Sequence, residues 1–155
     1  MLLCDILQKD LIVPELTATD RWQAIDELLD HLVQSGKIQS VHRDAIATVV
    51  KKRETSMSTG IGFGIGIPHA STDLINEVTG AFGRSRAGVN FDSLDNQPVH
   101  LVMLFLVPQG QFQTHLRTLA NIAKLLHNKD FRQTLEAAPD AGSMYESICR
   151  QSKAK

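Results

Sequence analysis

The chain has little cysteine, almost no net charge and no long hydrophobic run. Its 155 residues hold two cysteines, Cys4 and Cys149, near opposite ends. No CxxC pair and no framework of bridges is present, so both read as reduced thiols of a cytoplasmic protein. Sixteen basic residues against 17 acidic ones leave a net charge of -1. Such a chain has no polyanion-binding surplus, which argues against nucleic acid as a main partner. The longest apolar run, Leu101 to Val107, falls far short of the roughly 20 residues that span a bilayer. The first ten residues, MLLCDILQKD, lack a basic flank and reach Asp5 early, so they are not expected to be a signal peptide. Internal repeats and low-complexity stretches are also absent. What remains is a hydrophobic fraction of 43%, enough for the core of one domain over residues 1–155.

Hydrophobic periodicity predicts the elements. Leu11, Ile12 and Val13 suggest a short strand between Asp10 and Leu16. Thr17, Thr19 and Asp20 offer helix start signals, Trp22 to Val33 follow at helical spacing, and Gly36 ends the helix. A second helix is expected from Ser40, burying Ala45, Ile46, Val49 and Val50 and ending at Lys51, Lys52 and Arg53. Gly60 to Pro68 reads GIGFGIGIP. Its strict alternation predicts a strand or tight hairpin with one apolar face and one bare face. Glycine weakens strands, so the bare face calls for close approach by another backbone, side chain or partner surface. Further strands are expected over Glu77 to Arg84 and Val99 to Val107, with a loop at Gly88 to Asp95. A third helix from about Thr114 is expected to bury Leu116, Leu119, Ala120, Ile122, Ala123 and Leu126. Asp130 should cap a short helix, and a last helix should start near Asp140. The resulting class is α/β, a single-domain sandwich of a mixed β-sheet flanked by helices on both faces.

Several chemistries fail on spacing. The glycines never give GxGxxG, because the third position falls on Ile65, Ile67 or His69, and no GxxxxGK[ST] occurs. Zinc-type HExxH, HxH and Cys/His clusters are missing, so neither a metal nor a cofactor is expected. No GxSxG elbow appears.

The histidines are left. His31 and His127 lie near helix C-terminal ends, where a cation is comfortable. His42 opens a helix among polar neighbours and is expected to be exposed. His100, early in a buried strand, reads as a satisfied structural histidine. His69 follows the glycine-rich strand and Pro68, and a strand that stops there projects its imidazole from the sheet edge. The plain alternative is an exposed turn histidine. His115 opens a helix after a Pro-Gln-Gly turn, where free amides and the dipole favour an anion; alone, it is equally an incidental first-turn residue. Arg53 ends a helix and carries a phosphate-binding fork; alone, it is equally a partner of the helix dipole.

Together, RETSMSTGIGFGIGIPHA, GVNFDSLDNQPVHLVMLFLVP and QTHLRTLANIAKLL resemble the IIA proteins of the phosphoenolpyruvate-dependent sugar phosphotransferase system. The resemblance is to the fructose/mannitol type, which includes the nitrogen-regulatory IIA proteins, and it runs from about residue 5 to residue 150. It implies that His69 of the Pro-His pair accepts a phosphoryl group and that His115 and Arg53 stabilise it, with Thr59 as support. It implies no cofactor. The implied donor is the carrier HPr or a nitrogen-branch HPr, and the implied recipient a IIB protein, in sugar uptake or in regulation. A chain of this length is expected to be a stand-alone cytoplasmic IIA that meets the membrane only through IIB and IIC. The alternative is a regulatory module that acts by docking, with or without phosphorylation, and transports no sugar. Gly66, Phe63 and Ala70 depart from the family's usual alanine, polar residue and glycine, which puts partner specificity in question.

Overall fold

The computed structural model describes residues 3–56, 58 and 60–153. Its strands are β1 (Ile12–Val13), β2 (Gly60–Gly62), β3 (Ile65–Gly66), β4 (His69–Thr72), β5 (Thr79–Val89) and β6 (Val99–Pro108). Its helices are α1 (Leu3–Ile6), α2 (Arg21–Gln34), α3 (Arg43–Ser56), α4 (Phe112–Leu126), α5 (Lys129–Ala137) and α6 (Ala141–Lys153).

β6 lies at the centre of the sheet, as its nearly continuous apolar run requires. One side pairs antiparallel with β5, and β1 adds parallel to β5. On its other side, β3 and β4 lie end to end, both parallel to β6. They form one interrupted strand, and β2 closes that edge antiparallel to β3. The sheet is therefore mixed. α2 and α3 pack together as one helical layer, and α1, α6, α5 and α4 follow one another through the other. This is the α/β sandwich expected from the periodicity.

Local chemistry sets the helix ends. The Asp20 carboxylate accepts from the Gln23 amide at 2.9 Å and caps α2, and α2 buries Ala24, Ile25, Leu28, Leu29 and Leu32. A 3-10 turn over Ser40–His42 precedes α3, which runs on past Arg53 to Ser56. Its buried stripe is Ile46, Ala47, Val50 and Glu54. Ala45 and Val49 are exposed, contrary to expectation, because the helix turns Glu54 inward to meet Arg21 on α2. On α4, Leu116 and Ala120 also face out, and Ile122 and Leu126 carry the core contact. Asn128, not Asp130, caps α5, accepting from the Phe131 amide at 3.0 Å. β5 starts later than expected and continues to Val89.

The alternating glycines serve two ends. Gly60 and Gly66 face each other across the β2–β3 pair. A Cβ on Gly66 would stand 2.8 Å from Phe91 Cε2, and one on Gly60 would meet Ser93 Oγ. Phe91 is wholly buried, so the bare face is filled from within and is not a surface for a partner. Gly62 and Gly64 instead take positive φ, +95° and +77°, around the hairpin turn.

Candidate functional site

The site forms where the interrupted strand breaks. β3 ends at Gly66, Ile67 and Pro68 leave the ladder, and β4 begins at His69 opposite Phe105 of β6. The Phe105 amide donates to the Pro68 carbonyl at 3.0 Å and holds the break against β6. The Ile67 carbonyl accepts a 2.8 Å hydrogen bond from His69 Nδ1. A carbonyl can only accept, so Nδ1 carries the proton and the imidazole lone pair sits on Nε2.

His69 is half-buried. Its ring stacks on Phe112, with centroids 6.2 Å apart and planes 18° from parallel. Burial pushes the ring pKa below its usual value. The bond to the Ile67 carbonyl opposes that shift, the Arg53 charge adds to it, and the Glu54 carboxylate opposes it. The net result is a neutral ring with a fixed tautomer, the form in which an imidazole acts as a nucleophile.

Arg53 and Glu54 reach this site from α3, which packs along β4. Arg53 is exposed and Glu54 is 1% exposed. From α4, Phe112 brings the helix start to the ring. His115 sits in that same first turn, half-buried. Gln111 occupies the N-cap position and makes no side-chain capping bond. The first amides of α4 thus open beside the Phe112–His69 stack without a side-chain acceptor.

The fold thus brings His69 and Arg53 within electrostatic reach, and Phe112 places the first turn carrying His115 beside them. Thr59 lies outside the described residues. Sequence reasoning missed Phe112, Glu54 and the Ile67 carbonyl. Phe112 was missed because the helix was expected only from about Thr114, whereas α4 starts at Phe112. Nothing local marks Glu54 as buried, since its partner Arg21 is 33 residues away.

The other histidines stand apart. His100 Nδ1 donates to the Ser85 carbonyl at 2.8 Å, a satisfied structural residue as expected. His42 is half-buried, not exposed, within the 3-10 turn that precedes α3. His127 is exposed and meets Phe63 edge-on at 5.2 Å. Among the described residues, no group of three or more His, Cys, Asp or Glu could hold a metal ion, and no helix is long and apolar enough to cross a membrane.

Comparison with known proteins identifies the family. Residues 5–151 match the family model described as "Phosphoenolpyruvate-dependent sugar phosphotransferase system, EIIA 2". A nitrogen regulatory protein of Bradyrhizobium diazoefficiens is 33% identical over 148 residues, covering 96% of this chain and 95% of that protein. The fructose-specific EIIA component of the phosphotransferase system of Haloferax volcanii is 39% identical over 126 residues, with 81% and 80% covered. The crystal structure of nitrogen regulatory protein IIA-Ntr from Neisseria meningitidis shares the fold with a TM-score of 0.85 at 28% identity, covering 94% of this chain and 98% of that one. The chain belongs to the EIIA 2 family of the phosphoenolpyruvate-dependent sugar phosphotransferase system, whose members are phosphotransfer proteins.

Proposed function

We propose that this protein is a cytoplasmic phosphocarrier, acting as one domain, that takes a phosphoryl group onto His69 Nε2. The observation that carries the reading is the Nδ1–H bond to the Ile67 carbonyl, which leaves the ring's lone pair on Nε2. A phosphohistidine on HPr, or on a nitrogen-branch HPr, presents its phosphorus in line with that lone pair. The Nε2–P bond forms as the donor's N–P bond breaks, and the donor ring recovers the electron pair. The proton stays on Nδ1, hydrogen-bonded to the Ile67 carbonyl. Positioning and charge stabilisation do most of the work in such a transfer. Arg53 supplies a cation, His115 a hydrogen bond, and the uncapped start of α4 its amides. The group then passes to a IIB partner.

The test is a phosphotransfer assay with phosphoenolpyruvate, Enzyme I and HPr, followed by intact mass. One acid-labile phosphoryl group is expected, dependent on HPr and abolished in His69→Ala. His115→Ala should slow transfer and leave a residue of it; transfer at the full rate would remove His115 from the mechanism.

A second reading is that the phosphoryl group serves as a regulatory signal and does not feed sugar uptake. It is favoured by the end-to-end match to a nitrogen regulatory protein. A nitrogen-branch HPr that phosphorylates His69 much faster than general HPr would support it. Failure with both donors would favour a docking module that works without phosphorylation.

A further inference from the structure

Phe63 stands at the tip of the β2–β3 hairpin, where neither the turn nor the core asks for it. The residue is 64% exposed. Its φ is +58°, and Gly62 and Gly64 on either side also take positive φ. That region suits glycine or asparagine and strains a bulky side chain. A large apolar ring is thus kept in solvent at a cost to the fold. It is also held in place. The Arg132 guanidinium lies over it, 5.2 Å from the ring centroid, and His127 meets it edge-on. Arg132 is itself fixed, donating to the carbonyls of Leu126 and His127 at 3.0 and 2.7 Å. An exposed, preorganised aromatic ring is the kind of anchor that protein interfaces concentrate their energy on.

α4 joins this ring to the phosphoryl-acceptor site. Phe112 stacks on His69 at one end of the helix, and His127 meets Phe63 at the other. Between them Leu116, Ala120 and Ala123 follow at helical spacing on one face. Leu116 is 45% exposed, Ala120 is exposed and Ala123 half-buried. From Phe112 to His127 is about 22 Å along the helix axis. A standard interface covers about 800 Å² of each partner, a patch about 30 Å across. A protein that meets His69 through such a patch has room to lie along the whole stripe.

The geometry points to Phe63 as a second anchor for the HPr-type donor, which docks along the α4 stripe and takes the Phe63 ring into an apolar hollow of its own surface. This deepens the phosphocarrier reading and rests on His69 being the phosphoryl acceptor. The donor is the occupant because sugar uptake and regulation both need it, whereas their recipients differ. Phe63 touches no reacting atom. Its part is to select and hold the donor.

The experiment measures KM and kcat for transfer from phosphorylated HPr, or from the nitrogen-branch HPr where that is the faster donor, by intact mass. Phe63→Asn suits the turn and removes the anchor. It should raise KM on the order of tenfold and leave kcat within about twofold, with Tm at or above wild type. Phe63→Trp returns a large ring and should return KM toward wild type. Leu116→Ser, midway along the stripe, should raise KM by less, and it stands in if Phe63→Asn fails to fold. Val41→Asn alters a residue 78% exposed in the turn ahead of α3 and should leave KM unchanged. An unchanged KM in folded Phe63→Asn overturns the inference. So does a fall in kcat alone, which would put Phe63 in the chemistry, or an equal rise in KM for Val41→Asn. Slower discharge to the recipient with loading unchanged would give the surface to that partner and overturn it too. If wild type takes no phosphoryl group from either donor, the phosphocarrier reading itself fails and this inference falls with it.

Discussion

Replacing Gly66 by alanine tests whether the glycine run is shaped by the core or by function. Alanine relieves the entropic cost of glycine, about 0.5–1 kcal/mol in a strand. On that ground alone Gly66→Ala would stabilise. The packing says otherwise. The new Cβ would lie 2.8, 3.0 and 3.1 Å from Cε2, Cζ and Cδ2 of Phe91, against an optimal carbon separation of about 3.5–4.0 Å. Phe91 is wholly buried, and the approaching atoms belong to a rigid ring edge, so no flexible end can swing aside. Overpacking of this kind costs about 1–3 kcal/mol. The net expectation is destabilisation by about 1–2 kcal/mol, or a fall in Tm of about 3–6 °C for a domain of this size. Urea denaturation with an unchanged m value reads it directly.

A double-mutant cycle with Phe91→Leu then assigns the cause. Phe91→Leu alone leaves a cavity and destabilises. Added to Gly66→Ala, it makes room for the new methyl, so the two costs should fall short of additivity by about 1 kcal/mol or more. Gly66→Ala at wild-type stability, or strict additivity in the cycle, would refute the reasoning. There is a functional corollary. β3 runs into Ile67, whose carbonyl holds His69 Nδ1. A displaced β3 should therefore slow phosphorylation of the still-folded fraction.

Two further perturbations follow from buried charge. Arg84→Met strips donors from the carbonyls of Pro14, Leu135 and Ala138 and should cost about 3–5 kcal/mol by denaturation. Arg84→Lys should recover little, since an ammonium cannot reproduce the fork; a near-wild-type lysine variant would contradict this. His69 concerns pH, because burial holds its folded pKa below the usual 6.5. As pH falls through 6.5 the unfolded ring binds a proton that the folded ring refuses. This group's contribution to stability is therefore lost downward, between 6.5 and the folded value. His69→Gln should flatten the stability–pH slope in that window by at most about 1.4 kcal/mol per pH unit, and equal slopes would show that the ring is not desolvated.

Much of the fold was legible because the signals were local. Asp20 before a helical apolar run gives α2 its start, and the unbroken run from Leu101 gives β6 its central place. The glycine alternation announced a close contact, but its occupant did not show, since Phe91 and Ser93 arrive from 25 or more residues away. The same limit rotated α3. Ala45 and Val49 look like stripe residues until Arg21 is known to draw Glu54 inward. At the site, the expected strand end at Pro68 drew notice to His69, but the strand resumes there as β4, and only the resemblance implied a phosphoryl role. The stack on Phe112 was not legible, because it depends on α4 returning across the sheet after β6. The bond from Nδ1 to Ile67 depends on a backbone rotation that no residue pattern records.

That rotation explains how the sheet presents the His69 ring without losing its order. β3 and β4 keep one register along β6. Gly66 opposes Val102 and His69 opposes Phe105, so no residue is inserted or skipped at the break. The interruption is a local turning of Ile67 and Pro68, not a bulge. Proline suits it, because Pro68 offers no amide that the ladder would leave unpaired. Its carbonyl still accepts from Phe105. Ile67 turns its own carbonyl to the imidazole two residues on, and that single acceptor fixes both tautomer and ring orientation. The register of β6 then decides where the ring stands relative to the start of α4, because the chain passes from Pro108 to Phe112 within one turn. A central strand thus positions the His69 ring on its neighbour and the start of α4 beyond its own end.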